Sequence, residues 1–391
     1  MREKVKQWFQ FKRYNWRNYD ISLVVTVFIL SLISVYVLSI VQGGHFSIIR
    51  SVFSIIAGLF IVAFFSLIDY HDLCRYIPLL YIIATLMVAA TKLSPLGDDQ
   101  HTNSYRWLDF KFMEFQPSEI CKIVVILTLA TFLYRSRENL KTFRNFFIAS
   151  ALAFVPTFFI LIQSDLSSSV VIIVILVMML ACSGIGYRIL GTVAAVVVPV
   201  MLVCFWYILH LKPDEKFLFI KPYQLERITG WLHPEGNELG IMYQQNNSVL
   251  SIASGKLYGK LLDGNEATRN YTNVDVTESD FIWTPISEEF GFLGCMLILL
   301  LLSIIIIKCF LAAKNAKDYL GMMIAVGIGS MFCFQVFFNI GVTTSLLPNT
   351  GLPLPFLSNG MSSLLSNMMT IGILLNIGIQ PNRGNSSIEI H

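Results

Sequence analysis

Ten long apolar stretches, separated by short polar ones, constrain this chain more than any single residue does. They cover roughly residues 21–41, 48–68, 76–93, 119–134, 146–163, 168–183, 188–210, 291–313, 320–343 and 362–380. A bilayer core about 30 Å thick needs about 20 apolar residues in helical form. The stretches lack the two-residue alternation of a barrel strand, so a transmembrane β-barrel is excluded. Overall composition agrees: 55% of the 391 residues are hydrophobic and 14% are charged, against about a quarter charged in soluble domains. The sequence therefore predicts an all-α polytopic membrane protein of about ten transmembrane helices. A large extracellular loop, 211–290, separates spans seven and eight. One membrane domain covers 1–391, with a basic and aromatic head at 1–20 and a short tail at 381–391.

The distribution of Lys and Arg sets the orientation. Arg2, Lys4, Lys6, Lys12, Arg13 and Arg17 crowd the head. Arg135, Arg137, Lys141 and Arg144 follow the fourth span, Lys314 and Lys317 the eighth, and Arg383 the tenth. The loops 42–47, 164–167 and 344–361 hold no Lys or Arg. Counting spans from a cytoplasmic N-terminus places every basic cluster inside and these three loops outside, with both termini cytoplasmic. Trp8, Phe9, Phe11, Tyr14 and Trp16, set among the basic residues, suit an interfacial segment on anionic lipid. Membrane lipids are thus expected partners and nucleic acid is not. The first apolar run is too long for a cleavable signal.

Seven cysteines are scattered without a CxxC or Cys/His cluster, which predicts buried apolar thiols and neither a disulfide framework nor a zinc site.

This orientation gathers the unusual polar residues on the external face. "NSYRWLDFKFMEFQPSEICK" brings Arg106, Trp107, Glu114, Glu119 and Lys122. Pro117 suits a first helical turn and Glu119 its positive dipole end. Glu119 and Lys122, three apart, share a helix face, either as a local ion pair or as groups lining a cavity. Asp165, in "QSDLSSS", suits an N-cap for the sixth span. In the long loop, "YQQNNSVLSIAS" predicts a short amphipathic helix on the membrane, and Gly255, Gly259 and Gly264 predict flexible turns or close substrate approach. Asp280 precedes the eighth span and suits either a helix N-cap near Phe281 or a working carboxylate. Glu288 and Glu289 follow it and read as supporting groups that orient the loop or pair with its lysines. The proline-rich "LLPNTGLPLPFLSNGMSS" cannot be regular helix and must pack against protein or a wet cavity.

In order along the chain, "RWLDF" (106–110), "FQPSEICK" (115–122), "QSDL" (163–166), "RITGWLHPEG" (227–236), "YQQNNSVLSIASGKLYGK" (243–260), "SDFIWTPISEEFGFLG" (279–294) and "TGLPLPFLSNGMSS" (350–363) together resemble the SEDS family (shape, elongation, division and sporulation), the group of RodA and FtsW. The resemblance spans nearly the whole chain. It departs at "SNGMSS", where the family usually has Ser-Tyr-Gly-Gly-Ser-Ser, and at "QSDLS", where it has Gln-Pro-Asp-Leu-Gly.

The resemblance implies a peptidoglycan glycosyltransferase that polymerises lipid II into glycan strands at the outer face of the cytoplasmic membrane. Its implied partners are the growing glycan strand and a class B penicillin-binding protein that crosslinks it. The family's essential aspartate matches Asp280, and its charged cavity residues match Arg106, Glu114, Glu119 and Lys122. Trp107 and Asp165 join that cavity by position, with Ser358 and Ser362 as supporting hydroxyls. The chemistry asks for a general base, expected to be Asp280, and for positive charge beside the departing pyrophosphate, available from Arg106 and Lys122. A divalent cation, Mg²⁺ or Mn²⁺, held by Asp280, Glu114 or Glu119, agrees with the resemblance, although no ligand spacing demands one. No organic cofactor is expected. The alternative reading is a flippase of a lipid-linked cell-wall precursor, with Glu119, Lys122 and Asp165 on its path. Against it, no internal repeat appears.

Overall fold

The computed structural model describes residues 14–43, 47–93, 97–98, 106–109, 114–210, 222–232, 242–261 and 269–380. For residues 93, 97–98, 109, 114, 208–209 and 222–224 it describes the backbone alone. Residues 1–13 of the head, the tail 381–391 and Gly264 lie outside the described residues.

The ten apolar stretches form ten helices: α1 (Ile21–Gln42), α2 (Ile48–Leu67), α4 (Ile77–Leu93), α5 (Pro117–Arg135), α6 (Phe143–Ile162), α7 (Leu166–Cys182), α8 (Tyr187–Leu209), α11 (Trp283–Asn315), α12 (Tyr319–Thr343) and α13 (Met361–Ile379). Eight are long and apolar enough to cross a membrane by themselves, and α4 and α7 are slightly shorter apolar helices. Three shorter helices complete the described set: α3 (Tyr70–Arg75), α9 (Pro222–Leu232) and α10 (Tyr243–Ser254). The chain is a multi-pass membrane protein.

Helix starts follow local chemistry. Asp20, Ser47, Asp165 and Asp318 each accept a backbone N–H of the following turn, satisfying donors that lipid cannot. Pro117 occupies the first turn of α5.

Helices α5, α12 and α13 form the buried interior, while α8 is exposed along most of its length. Apolar surface gains little by leaving lipid for protein, so close backbone approach drives the packing. A Cβ on Gly327 of α12 would lie 2.7 Å from Ile126 of α5, and one on Gly372 of α13 would lie 2.7 Å from Phe65 of α2. The outward faces stay apolar, as at Val197, Met201 and Trp206 of α8.

Three features differ from the sequence reading. Between α4 and α5 lies a three-stranded antiparallel sheet: β1 (Gly97–Asp98), β2 (Trp107–Asp109) and β3 (Glu114–Phe115), in the order β1-β2-β3. Strands this short carry no periodic signal. Helix α11 starts at Trp283, eight residues before the apolar run, and is broken at Gly291, whose φ of 62° and ψ of −169° are non-helical. Hydropathy sees only the part beyond the break. Finally, the cysteines are free, but Cys182 and Cys333 are exposed and Cys204 is half-buried, because a thiol is equally at home facing lipid.

Candidate active site

The polar ends of α5, α6, α7, α11, α12 and α13 meet at one face of the bundle, opposite the start of α1 at Ile21. Direct bonds tie them together. The α6–α7 turn places Ser164 in the left-handed region, φ 68°. This aims its carbonyl at Arg106, which donates a 2.9 Å hydrogen bond. Asp165 then caps α7: it accepts from Ser168 N–H at 3.1 Å, Ser167 Oγ at 2.8 Å and Ser118 Oγ of α5 at 3.4 Å. Burial opposes its ionisation, but the Arg106 guanidinium and the hydrogen bonds from Ser168 and Ser167 outweigh that and hold it below its ordinary value.

Glu119 and Lys122 in the first turns of α5 are an ion pair, Nζ to Oε1 2.8 Å, 2% and 1% exposed. Ser366 Oγ of α13 donates to the other Glu119 oxygen at 3.4 Å. Trp107 lies on β2, half-buried, its backbone paired with Asp98. The backbone of Glu114 stands in β3 opposite Asp109; its side chain lies outside the described residues.

Glu288 and Glu289 sit on the helical segment before the Gly291 break, both 0% exposed. Glu288 accepts from Ser251 Oγ, from Ser254 Oγ at 2.9 Å, from Lys260 Nζ at 2.5 Å, and from the N–H groups of Asn270 and Tyr271 at 2.8 and 2.9 Å. Arg269 donates to Glu289 through Nε at 2.5 Å and a second nitrogen at 3.3 Å. Both glutamates therefore pin the loop. The same strip explains two glycines read as flexible turns. A Cβ on Gly255 would stand 2.2 Å from the Ser287 carbonyl, and one on Gly259 2.0 Å from that of Glu289. They are points of backbone contact, fixed by Lys260 N–H to Glu288 O at 2.9 Å and Leu261 N–H to Glu289 O at 3.0 Å.

Helix α10 forms as expected, but its polar stripe turns inward. Gln245, Ser248 and Ser251 are buried, and Gln245 donates to the carbonyls of Val342 and Leu347, both at 2.9 Å. Leu250 faces outward, 62% exposed.

Asp280 differs from these saturated acids. It is no helix cap, since α11 begins at Trp283 with Ile282 in the cap position. Among the described residues its carboxylate accepts one hydrogen bond, from Ser279 Oγ at 3.2 Å. Its other oxygen faces Gly351, where a Cβ would stand only 2.8 Å away. Asp280 is half-buried, its carboxylate set between the 279–283 segment and the 349–354 loop. That burial raises its pKa, against the opposing pull of Arg106, Ser279 and Arg227. Two guanidiniums, Arg106 and Arg227, thus flank a protonatable carboxylate with acceptor capacity to spare.

Arg227 of α9 opens "RITGWLHPEG", and its sequence context does not mark it as a site residue. It donates to the Asn349 carbonyl at 3.3 Å, bringing a third segment of the long loop to the site. A cation within an otherwise amphipathic stretch was the available signal. Nearby, Arg106 Nε, Asn349 Oδ1 and Thr350 Oγ1 are buried without a partner among the described residues, as suits polar groups that meet a ligand. Ser358 Oγ donates to the Ser279 carbonyl at 2.6 Å, and Ser362 Oγ accepts from Gln116 N–H at 3.3 Å; both hydroxyls hold backbone in place.

The comparisons agree with this architecture. The family model described as the cell cycle protein family FtsW/RodA/SpoVE matches residues 17–383. The chain belongs to this family. It is 32% identical over 324 residues to stage V sporulation protein E of Bacillus subtilis, covering 82% of this chain and 84% of that one. It is 32% identical over 330 residues to the peptidoglycan glycosyltransferase MrdB of Escherichia coli K12, covering 84% of each. Two solved structures share the fold. One, from work on the structural coordination of polymerization and crosslinking by a peptidoglycan synthase complex, has TM-score 0.72 and 21% identity, covering 92% of this chain and 97% of that one. The other, RodA of Thermus thermophilus, has TM-score 0.66 and 20% identity, covering 93% and 98%.

This FtsW/RodA/SpoVE chain accommodates its departures from the usual motifs. At "QSDLS", Ser164 adopts a φ of 68° that a proline ring forbids. Ser167, where glycine is usual, reaches both Asp165 and, at 3.4 Å, the Gly351 carbonyl. At "SNGMSS", residue 359 acts through its backbone N–H, which donates to the Glu278 carbonyl at 2.7 Å, so its side chain is free to differ.

Proposed function

We propose that this chain is a peptidoglycan glycosyltransferase that polymerises lipid II at the outer face of the cytoplasmic membrane, with Asp280 as general base. One observation carries the assignment. Among the acids described at this face, half-buried Asp280 combines a raised pKa with unused acceptor capacity, whereas the buried Asp165, Glu119, Glu288 and Glu289 are occupied in structural bonds.

The chemistry runs as a single displacement. An Asp280 oxygen takes the proton of the acceptor sugar 4-hydroxyl, the resulting oxygen attacks the anomeric carbon of the donor, and the bond from that carbon to the pyrophosphate breaks. The electron pair leaves with polyprenyl pyrophosphate, and the anomeric centre inverts. General-base assistance of this kind contributes about 10²–10⁴-fold. Arg106 and Arg227 supply positive charge for the leaving group, and in a site screened from bulk water that charge acts strongly.

For a divalent cation, no three of His, Cys, Asp and Glu converge among the described residues. A cation shared with substrate phosphates needs only one or two carboxylates; beside an Asp280 that acts as base, the other acids described at this face are already occupied. Such a cation would neutralise pyrophosphate charge.

Lys and Arg placement supports cytoplasmic termini. The relative from the synthase complex supports a class B penicillin-binding protein as partner.

The test is reconstitution of the chain with lipid II, a divalent cation and the cognate crosslinking partner, followed by gel analysis of glycan polymer. Wild type should polymerise and Asp280→Asn should not. Full activity in Asp280→Asn would remove the base assignment. Transfer of labelled lipid II across liposomes without polymer would favour the flippase reading.

A further inference from the structure

The side chain of Asp280 is almost unbound, so its aim is set by its backbone. Three successive carbonyls there are each held from another segment. Asn359 N–H donates to Glu278 O at 2.7 Å, Ser358 Oγ to Ser279 O at 2.6 Å, and Asn339 Nδ2 to Asp280 O at 2.9 Å. Asn339 lies on α12 and is 1% exposed. Its second Nδ2 proton goes to Leu352 O at 2.7 Å. Leu352 follows Gly351, whose bare Cα faces the Asp280 carboxylate. One carboxamide therefore grips the base and the wall opposite it.

The amide orientation is forced. A flip would set Asn339 Oδ1 against two carbonyl oxygens, all acceptors. The price of the observed orientation is that Oδ1 is buried with no partner among the described residues, and an unpaired buried acceptor is kept only where its donors matter. Nothing in hydropathy marks this residue; it is one amide in an apolar helix.

We infer that Asn339 is a positioning residue for the glycosyl transfer: its carboxamide fixes Asp280 and the 349–354 loop in one body, so that the carboxylate meets the acceptor hydroxyl in a reactive pose. The inference rests on Asp280 being the base. A displacement of about 1 Å in such a pose costs about 10²-fold.

The experiment uses the full chain with its crosslinking partner, in Asn339→Ala, Asn339→Asp and Ser358→Ala. Hydrogen–deuterium exchange reads the clamp without reference to activity. Expected is faster exchange, about fivefold to tenfold, over 276–283 and 350–354, the scale of one lost hydrogen bond. Polymerisation kcat should fall about ten- to a hundredfold with KM changed less than about threefold. Asn339→Asp, which faces acceptors with acceptors, should be at least as impaired as Asn339→Ala. Ser358→Ala removes a neighbouring clamp point at the surface of the same segment and should show a weaker form of each change, which serves if Asn339 variants fail to fold. Unchanged exchange in a folded Asn339→Ala or Ser358→Ala would overturn the inference, as would a loss confined to KM with kcat unchanged. Full polymerisation by Asp280→Asn in the same assay would instead reject the base, while the exchange data still decide the clamp.

Discussion

Replacing Lys122 with methionine tests whether the buried pair at the head of α5 is a structural brace or part of the working site. Lys122 and Glu119 are 2.8 Å apart and at most 2% exposed. At an effective dielectric of about 20 their attraction is about 6 kcal/mol, and most of that is consumed by desolvating the two charges. Lys122→Met leaves the Glu119 carboxylate with one weak described donor, Ser366 Oγ at 3.4 Å. The expected loss of stability is about 3–5 kcal/mol. Glu119→Gln/Lys122→Met removes both charges at nearly constant volume and should recover to within about 1–2 kcal/mol of the native protein. Thermal unfolding followed by a thiol-reactive fluorophore suits this chain, because Cys74, Cys121, Cys295 and Cys309 are free and buried. Lys122→Met melting like wild type, or a double variant no more stable than the single, would refute the reasoning. Polymerisation by the stable double variant then separates the roles: retained activity makes the pair a brace, and lost activity places it in the chemistry.

Further outcomes follow from the same geometry. Gly351→Ala must hold a φ of 78° and places a Cβ 2.8 Å from Asp280 Oδ2; the strain costs about 1–2 kcal/mol, and single-turnover polymerisation should fall more than stability does. Because burial raises the Asp280 pKa and Arg106 lowers it, the acid limb of activity should lie above the ordinary aspartate value of about 3.9, and Arg106→Gln should move it higher still. Glu288→Ala strips an acceptor from five donors, so limited proteolysis should cut 255–275 faster, with a loss of at least about 3 kcal/mol. On the face of the bundle where α1 begins, His71 bridges Asp69 at 2.6 Å and Asp318 at 2.5 Å. Burial disfavours its charge, but the two aspartates outweigh burial and raise its pKa. Its stabilising effect is thus complete below about 6.5 and is lost as pH rises through the raised value; His71→Gln should flatten that decline in a pH series of melting curves.

The sequence by itself determined the ten helices, because a lipid solvent permits few alternatives and writes its requirement as long apolar runs. It also pointed the unusual polar groups to one face, through the spacing of the spans, and it marked Asp280, Asp165, Glu288 and Glu289. Tertiary structure decided what each acid does. Four carboxylates of similar surroundings in the sequence became a helix cap, half of an ion pair and two loop anchors, while Asp280, half-buried, was left with lone pairs unclaimed among the described residues. It also decided that Gly255 and Gly259 are contacts, that α10 turns its polar stripe inward, and that Asn339, some sixty residues from Asp280 along the chain, holds it. Periodicity and hydropathy report how a residue stands toward lipid or water. Which donor meets which acceptor depends on pairs brought together from distant segments, and that information exists only once the helices have packed.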